Sequence, residues 1–257
     1  YEIVPIGITQ SGRWITAGDP WKLLQSGLEG EDVTPAALLA EPRRHALVEM
    51  QATNAGRPGR ILRGRRLDVV IPVLHGPYGE DGTVQGLLEL ANVPYVGAGV
   101  GASAVAMDKA LAKDIFIAHG FPIVRHAVVL RREWQRRPEQ VLDRVEGRIG
   151  YACFVKPASL GSSVGISRAR DRGELRGALA LAAEYDRKLI VEQAVAGREI
   201  EISVLGNDEP VASVPGEIIP CREFYDYRAK YIEDRSELII PAPLSAELAG
   251  RIRRRFT

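Results

Sequence analysis

The most informative stretch of the chain is His75-Gly76-Pro77-Tyr78-Gly79-Glu80-Asp81-Gly82-Thr83-Val84-Gln85-Gly86. It follows an apolar run at 67–74 that predicts a buried strand, so we expect it at that strand's carboxyl end, where α/β enzymes place their sites. Glycines let backbone N–H groups approach an anion, and Thr83 can cap a helix that begins there. The alternative is an ordinary loop whose polar side chains are solvated.

The composition is typical of a globular protein with balanced charge. The 257 residues are 46% hydrophobic and 26% charged, and 34 Lys and Arg stand against 33 Asp and Glu. A net charge of +1 gives no general electrostatic reason to expect nucleic acid or an anionic membrane as a partner. Basic runs such as 251–255 are interpreted as solvated helix surface.

Cysteine use and hydropathy favour a cytoplasmic location. Cys153 lies in an apolar segment and Cys221 in a loop, and they lack metal-ligand or redox spacing, which indicates free thiols in a reducing compartment. No apolar run approaches the roughly 20 residues of a membrane span. The start of the chain also lacks the basic and apolar pattern of a signal peptide. We therefore expect a cytoplasmic protein without membrane insertion.

The first part of the chain is predicted to be a parallel α/β domain that ends near Gly97. A strand is expected in 1–8, and the segment 27–64, rich in Gly, Pro and Arg, is interpreted as a variable surface excursion. Beyond it strand and helix patterns alternate. The predicted elements are a strand at 67–74, a helix near 83–92, a strand at 94–97 and a helix at 108–119 stopped by Gly120.

The second part is predicted to contain α+β units. Asp171-x-x-Glu174 resembles a capping box before a helix whose Leu175, Leu179 and Leu181 can face a sheet. The other predicted elements are a strand near 125–130, a helix near 138–146, a hairpin of 151–156 and 165–168, strands of a further sheet at 189–192, 199–205 and 211–219, a polar loop at 220–236 and a helix from Ser245.

The stretch 75–86 resembles the H-G-x-x-G-E-D-G-x-x-Q-G signature of the D-alanine–D-alanine ligases, members of the ATP-grasp superfamily. Similar segments follow in the family's order over nearly the whole chain. They are Pro94-Tyr95-Val96-Gly97, Ala102-Ser103-Ala104, Met107-Asp108-Lys109, Phe154-Val155-Lys156-Pro157, Gly161-Ser162-Ser163-Val164-Gly165, the pair Glu192 and Glu199, and Phe224-Tyr225-Asp226-Tyr227-Arg228-Ala229-Lys230-Tyr231.

This resemblance implies a mixed α/β and α+β fold of the ATP-grasp type in three domains. We expect an amino-terminal substrate domain at 1–97, a central domain with a phosphate lid at 98–190 and a carboxyl-terminal domain at 191–257, the last two gripping ATP. Both ends look cut relative to the family. The expected magnesium ligands would then lie beyond Thr257, with no metal ligands within this chain.

The resemblance also implies an ATP site, whose phosphate cradle differs in kind from a Walker A loop because that pattern is absent. Lys109, Lys156 and the backbone N–H groups of Ser162, Ser163 and Val164 would contact phosphates, the last three as a lid that excludes water. Glu192 would bind the adenine amino group, the Val195 backbone the adenine ring, and Glu199 the ribose. The alternatives are a solvated edge-strand lysine at 156 and strand-edge charges at 192 and 199.

The resemblance further implies a site for the first amino acid. His75 would neutralise its carboxylate and Glu80 would order the loop, the alternative being a turn-stabilising His and a Glu at a helix start. Ser162 and Tyr231 would orient the substrate, and Lys230 would reach the phosphate or the intermediate. Tyr231 favours D-alanine over D-lactate as second substrate.

The implied reaction joins two D-alanines for peptidoglycan precursors. ATP would activate one carboxyl as D-alanyl phosphate and the second amine would attack it, with two Mg²⁺ ions, or Mn²⁺ in their place, as cofactors. The resemblance suggests a homodimer through the first domain. The alternatives are a D-alanine–D-lactate or other ATP-grasp carboxylate–amine ligase, or a truncated nucleotide-binding fragment without activity.

Overall fold

The computed structural model describes residues 1–9, 11–16, 33–51, 59–219 and 236–256. The chain divides into two compact units, Tyr1–Ala104 and Val105–Thr257. The three-domain division expected from the sequence stays a prediction.

The first unit is built on an antiparallel sheet whose five strands follow one another in chain order. The strands are β1 (Ile6–Ile8), β2 (Trp14–Thr16), β3 (Thr34–Leu38), β4 (Ala46–Met50) and β5 (Ile61–Arg66). Two helices follow, α1 (Thr83–Leu90) and α2 (Val100–Met107). Leu47 from the sheet and Leu88 from α1 belong to one buried cluster, which forms the core of this unit.

The parallel sheet expected in this unit is not what its described strands form, because they follow one another along the chain and pair antiparallel. Two further expectations were wrong. Much of the supposed surface excursion at 27–64 forms β3, β4 and the start of β5, because alternating apolar residues such as Ala36, Leu38 and Leu47 face a core. The predicted strand at 67–74 pairs only through the isolated parallel bridge between Val70 and Tyr95. Besides the bonds around this bridge, the backbone bonds of the segment include one from the Leu67 N–H to the His45 carbonyl at 2.9 Å, which is too little to form a ladder.

The helix after the glycine-rich stretch begins where the sequence predicts but is capped differently. Gly82 is its N-cap residue, with a left-handed φ of 92°, and no side chain of the cap residue bonds to the helix. Instead the Thr83 N–H donates to Asp81 Oδ1 at 3.0 Å. An added Cβ on Gly82 would lie 2.8 Å from the Val100 carbonyl oxygen, so the position requires glycine.

The second unit centres on a four-stranded antiparallel sheet in the order β6-β9-β7-β8. The strands are β6 (His126–Leu130), β7 (Cys153–Pro157), β8 (Ser167–Ala169) and β9 (Lys188–Gln193). Its helices are α3 (Lys109–Ala118), α4 (Arg131–Arg136), α5 (Pro138–Arg148) and α6 (Arg172–Tyr185). One face of the sheet is buried in a continuous cluster with residues of α4, α5 and α6. The predicted strand, helix and hairpin between 125 and 168 are confirmed.

The cap predicted at the start of α6 is confirmed at Asp171, whereas Glu174 reaches back one residue beyond the N-cap. Asp171 is the N-cap residue and accepts from the Glu174 N–H at 2.9 Å, while Glu174 accepts from the Arg170 N–H at 2.7 Å. Leu175 and Leu179 are fully buried, as expected for a face that packs on the sheet. Leu181 is 38% exposed, so its expected place against the sheet was wrong.

The remaining elements form two small sheets and a last helix. The segment 189–192, expected in a further sheet, lies instead in β9, which pairs with β6 and β7. One small sheet has the order β10 (Glu199–Glu201), β13 (Gly216–Ile219), β14 (Glu237–Ile239), and the other pairs β11 (Val204–Leu205) with β12 (Val211–Ala212). Helix α7 (Ala246–Arg253) begins after Ser245, where the sequence predicts it, and the Ser245 side chain caps it by accepting from the Leu248 N–H.

Candidate functional site

The glycine-rich stretch of the first unit is a tight loop held by its own acids. The Gly76 N–H donates to Glu80 Oε2, and the Tyr78 N–H donates to Asp81 Oδ2 at 2.9 Å. Burial opposes ionisation of Asp81, but hydrogen bonds from Thr83 and from backbone N–H groups outweigh it and lower the Asp81 pKa. The two acids therefore set the loop's shape.

His75 and Glu80, the predicted substrate residues, are both exposed on this loop. The hydrogen bond from Gly76 supports the expected ordering role of Glu80. A further bond from Gln85 Nε2 to the Gly79 carbonyl, at 3.0 Å, ties the loop to α1. The contact of His75 and Glu80 with an amino acid stays a prediction.

The second unit gathers charged groups on the sheet face that lies opposite the buried core. Along β7, Cys153 and Val155 point into the core, so Phe154 and Lys156 point away from it. Glu192 on β9 is the register partner of Phe154 and lies on the same face. Lys156 Nζ is 2.6 Å from Glu192 Oε2.

A third charged residue joins this pair from α3. Lys113 Nζ is 3.0 Å from Glu192 Oε1, so each oxygen of the carboxylate has its own ammonium partner. Burial opposes ionisation of Glu192, but Lys156 and Lys113 together outweigh it and lower the Glu192 pKa. Sequence reasoning missed Lys113, although it follows Lys109 by four residues and therefore shares its helix face.

Lys109, the first residue of α3, is caged by backbone carbonyls. Its Nζ donates to the carbonyl oxygens of Pro157, Ala158 and Leu160 at 3.4, 3.3 and 2.5 Å. Burial and the nearby positive charge of Lys156 lower the Lys109 pKa, while Glu192, Asp186 and Asp108 oppose that shift. The same carboxylate, Glu192, thus acts on both predicted phosphate-binding lysines.

The N-terminal turn of α3 is anchored to β9. Asp108 caps the helix by accepting from the Ala110 and Leu111 N–H groups, and it also forms an ion pair with Lys188. Asp186 in turn accepts from the Ser159 N–H at 2.8 Å and fixes the segment that follows β7. Lys109 therefore follows a residue that is tied to β9, and its carbonyl acceptors lie in a segment that Asp186 fixes.

The predicted lid is a compact turn between β7 and β8. Ser162, Ser163 and Gly165 all have positive φ, at 53°, 60° and 69°. An added Cβ on Gly165 would lie 2.8 Å from Tyr185 Cδ2 and 2.9 Å from Pro157 Cγ. The Val164 N–H donates to the Gly161 carbonyl at 3.2 Å, so a phosphate oxygen would have to replace that acceptor.

The predicted adenine and ribose residues follow β9. Val195 is 64% exposed, and Glu199 is an exposed residue of β10 paired with Ile218. The strand end itself is held by Arg125, which donates to Gln193 Oε1 at 3.0 Å. This contact was not predicted, because residues 68 positions apart are brought together only by strand pairing.

Two predicted catalytic residues, Lys230 and Tyr231, lie outside the described residues, as does Cys221. Within the described ranges there is no group of three or more His, Cys, Asp or Glu side chains that could hold a metal ion. In the same part of the chain, no helix is both long and apolar enough to cross a membrane.

We expect Glu192→Gln to destabilise the fold at neutral pH and to do so less in acid. Removing the charge leaves two lysines without their shared partner, which costs about 2 kcal/mol, somewhat below the cost for a fully buried pair. The folded Glu192 pKa lies below the ordinary 4.5, so the stabilisation is complete above that value and is lost as pH falls through the folded pKa.

The measurement is urea unfolding of wild type and variant at pH 7 and at about pH 4. The difference between their unfolding free energies should shrink on acidification. A difference that grows in acid would contradict the assigned pairing.

The second unit combines an antiparallel sheet, a lysine at the start of a helix, a lysine and a glutamate on neighbouring strands, and a serine-glycine turn. This combination defines an ATP-grasp fold. Comparison with solved structures agrees. VanG D-Ala:D-Ser ligase from Enterococcus faecalis superposes with a TM-score of 0.82 at 34% identity, covering 98% of this chain and 70% of that one. The D-alanine-D-alanine ligase from Coxiella burnetii gives a TM-score of 0.71 at 33% identity, covering 98% and 65%.

Sequence comparison identifies the family. The family model described as "D-ala D-ala ligase N-terminus" matches residues 1–98, and that for the "D-ala D-ala ligase C-terminus" matches 115–255. The chain is 48% identical to the D-alanine–D-alanine ligase of Geobacillus kaustophilus and 50% identical to that of Heliobacterium modesticaldum, over 96% of its length in each case. This chain belongs to the D-alanine–D-alanine ligase family. It spans 66% and 65% of those two relatives.

Proposed function

We propose that the protein joins two D-alanines through D-alanyl phosphate, at the expense of ATP, to make D-alanyl-D-alanine for peptidoglycan. The observation that carries this proposal is the shared electrostatic environment of Lys109, Lys156 and Glu192 beside the 161–165 turn. Two ammonium groups at one end of a sheet face suit a polyphosphate, and a carboxylate farther along the face suits an exocyclic amine.

The donors in the second unit fit a nucleotide. Lys156 would turn from Glu192 to a phosphate oxygen, and Lys109 would exchange a carbonyl acceptor of its cage for another. Glu192 keeps lone pairs beyond those used by the two lysines, so it can also accept from the adenine amino group. Val195 and Glu199 would border the adenine ring and the ribose.

The 161–165 turn would close over the phosphates. The N–H groups of Ser162, Ser163 and Val164 would serve as backbone donors, and a closed turn would keep water from the activated carboxyl. ATP supplies the phosphoryl group that makes this carboxyl electrophilic. Expulsion of phosphate after attack by the second amine leaves the amide, and no covalent enzyme nucleophile is required.

We propose that His75 and Glu80 of the first unit contact the first amino acid. The roles that the family resemblance implies for Ser162, Lys230 and Tyr231 stay predictions. Two Mg²⁺ ions, or Mn²⁺, are expected by family resemblance, but the described residues contain no cluster that fits a metal. The homodimer and the cytoplasmic location stay predictions.

The test is phosphate release from ATP by the full-length protein. D-Alanine should stimulate phosphate release strongly, whereas L-alanine should not, because a site shaped for the D-enantiomer would not place the carboxylate of the L-enantiomer in the same position. Mass analysis of the product made from D-alanine with D-serine or D-lactate present identifies the second substrate. Release without any dipeptide product, or a depsipeptide or D-alanyl-D-serine as main product, would overturn the assignment.

A further inference from the structure

We propose that Lys113 is a positioning residue of the nucleotide site. Lys113 holds the Glu192 carboxylate in place for the adenine amino group while Lys156 turns to the phosphates. This inference rests on the proposed nucleotide site. It assigns a role to a residue that belongs to none of the segments which carry the family resemblance.

The geometry gives Glu192 two partners with different freedom. Lys156 is 24% exposed and stands on the strand that leads into the 161–165 turn, whereas Lys113 is 15% exposed and stands inside α3. Because Lys113 is more deeply buried and four residues into a capped helix, it is the partner that can stay when Lys156 moves.

A charge argument shows why a second lysine is needed. Glu192 is 10% exposed, and burial opposes its ionised form. If Lys156 alone neutralised it, binding a phosphate through Lys156 would leave a buried carboxylate without a cation, and this cost would weaken nucleotide binding. With Lys113 in place the carboxylate stays charged and oriented, so Lys156 is released to the phosphate at smaller cost.

The competing explanation is that Lys113 only fastens α3 to β9. The chain contains a matched contact of that kind, since Lys188 on β9 pairs with Asp108 at the start of the same helix. Lys188 is 25% exposed and its partner 15%, against 15% and 10% for the Lys113 pair, so both pairs are partly buried. The two ion pairs tie the same helix to the same strand, but of these two lysines it is Lys113 that pairs with Glu192. A fastening role predicts similar effects for both lysines.

The test compares two probes that differ by one group. ADP and purine riboside diphosphate, which lacks only the 6-amino group, are titrated calorimetrically into the full-length protein. Wild type should bind ADP about tenfold more tightly or better, because the analogue lacks the amino group that would donate a hydrogen bond to the charged Glu192 carboxylate. In Lys113→Met the ratio should fall to within about threefold, with ADP binding weakened about tenfold. In Lys113→Arg most of the ratio should return.

Lys188→Met is the matched control. Its overall affinity for ADP is free to change, but its ratio between the two probes should stay at the wild-type value. If Lys113→Met also leaves the ratio unchanged, or if Lys188→Met lowers it equally, the proposal fails. Should Lys113→Met not fold, as judged by circular dichroism, Lys113→Gln keeps a donor without the charge and should give an intermediate ratio.

A double-mutant cycle separates indirect from direct action. If Lys113 acts through Glu192, the variant carrying Lys113→Met and Glu192→Gln should have the same probe ratio as Glu192→Gln alone. If the double variant instead has a lower probe ratio than Glu192→Gln alone, Lys113 acts on the nucleotide independently of Glu192. That result would overturn the positioning role. The binding measurements do not require turnover. A wild type that binds ADP but makes no dipeptide would therefore refute the proposed function, while the role of Lys113 could still be tested. A wild type that binds neither probe would overturn both.

Discussion

Replacing Lys156 with Ala should raise KM for ATP about tenfold or more and lower kcat by a similar factor. A charge-assisted hydrogen bond is worth about 1.5–3 kcal/mol, and each 1.4 kcal/mol is a tenfold change. The variant also leaves Glu192 with Lys113 as its remaining lysine partner, which changes the charge beside Lys109. Steady-state kinetics with varied ATP at saturating D-alanine would measure both parameters.

Arg144→Ala is the control for loss of a basic side chain. Arg144 pairs with Glu133 between α5 and α4, on the side of the sheet that lies away from the charged cluster, and both groups are about 40% exposed. Such partly exposed pairs contribute about 1 kcal/mol or less, so ATP kinetics should change less than twofold. Unchanged ATP kinetics in Lys156→Ala would remove Lys156 from the proposed site.

Replacing Leu179 with Ala should lower the unfolding free energy by about 2–5 kcal/mol. Leu179 is fully buried on α6 and belongs to the same cluster as Val155 and Val191, so the shorter side chain loses apolar contact and leaves a cavity. Urea unfolding followed by circular dichroism measures the change, with the slope checked for constancy.

The matched control, Leu181→Ala, makes the same chemical change two residues further along α6. Because Leu181 is 38% exposed, most of its apolar surface stays in contact with water, and the loss should be below about 1 kcal/mol. Equal effects of the two substitutions would mean that α6 presents a different face to the sheet.

Several local features were predicted correctly from the sequence, although the cap of α1 was not, since its N-cap residue is Gly82 and not Thr83. Three of these features depend on groups a few residues apart. They are the cap of α6 at Asp171, the start of α7 after Ser245 and the end of α3 before Gly120. The loop around Asp81 is also held by groups that are close in sequence, although its hydrogen bonds were not predicted. Short-range hydrogen bonds and allowed φ values suffice to specify such features.

Prediction failed where the partner is distant. The apolar run at 67–74 was expected to be a buried strand, yet Ile71 and Val73 are exposed and only Val70 is bridged. The segment of β9 was expected in a separate sheet, although it pairs with β6 and β7. An apolar pattern indicates that a segment can be buried. Which strand supplies its hydrogen bonds depends on the tertiary structure of the whole chain.

For the candidate site, the sequence alone determined which residue types are present and their order, because lysines, glycines and serines at family spacing can be recognised without coordinates. Only the tertiary structure decided that Lys113 and Lys156 share Glu192, that Lys188 holds Asp108, and that carbonyls surround Lys109. The physical reason is that charges interact through space, over a few ångströms, whatever their separation along the chain. Helix α3 and strand β9 are about 80 residues apart, and pairing in the folded unit brings their charges into contact.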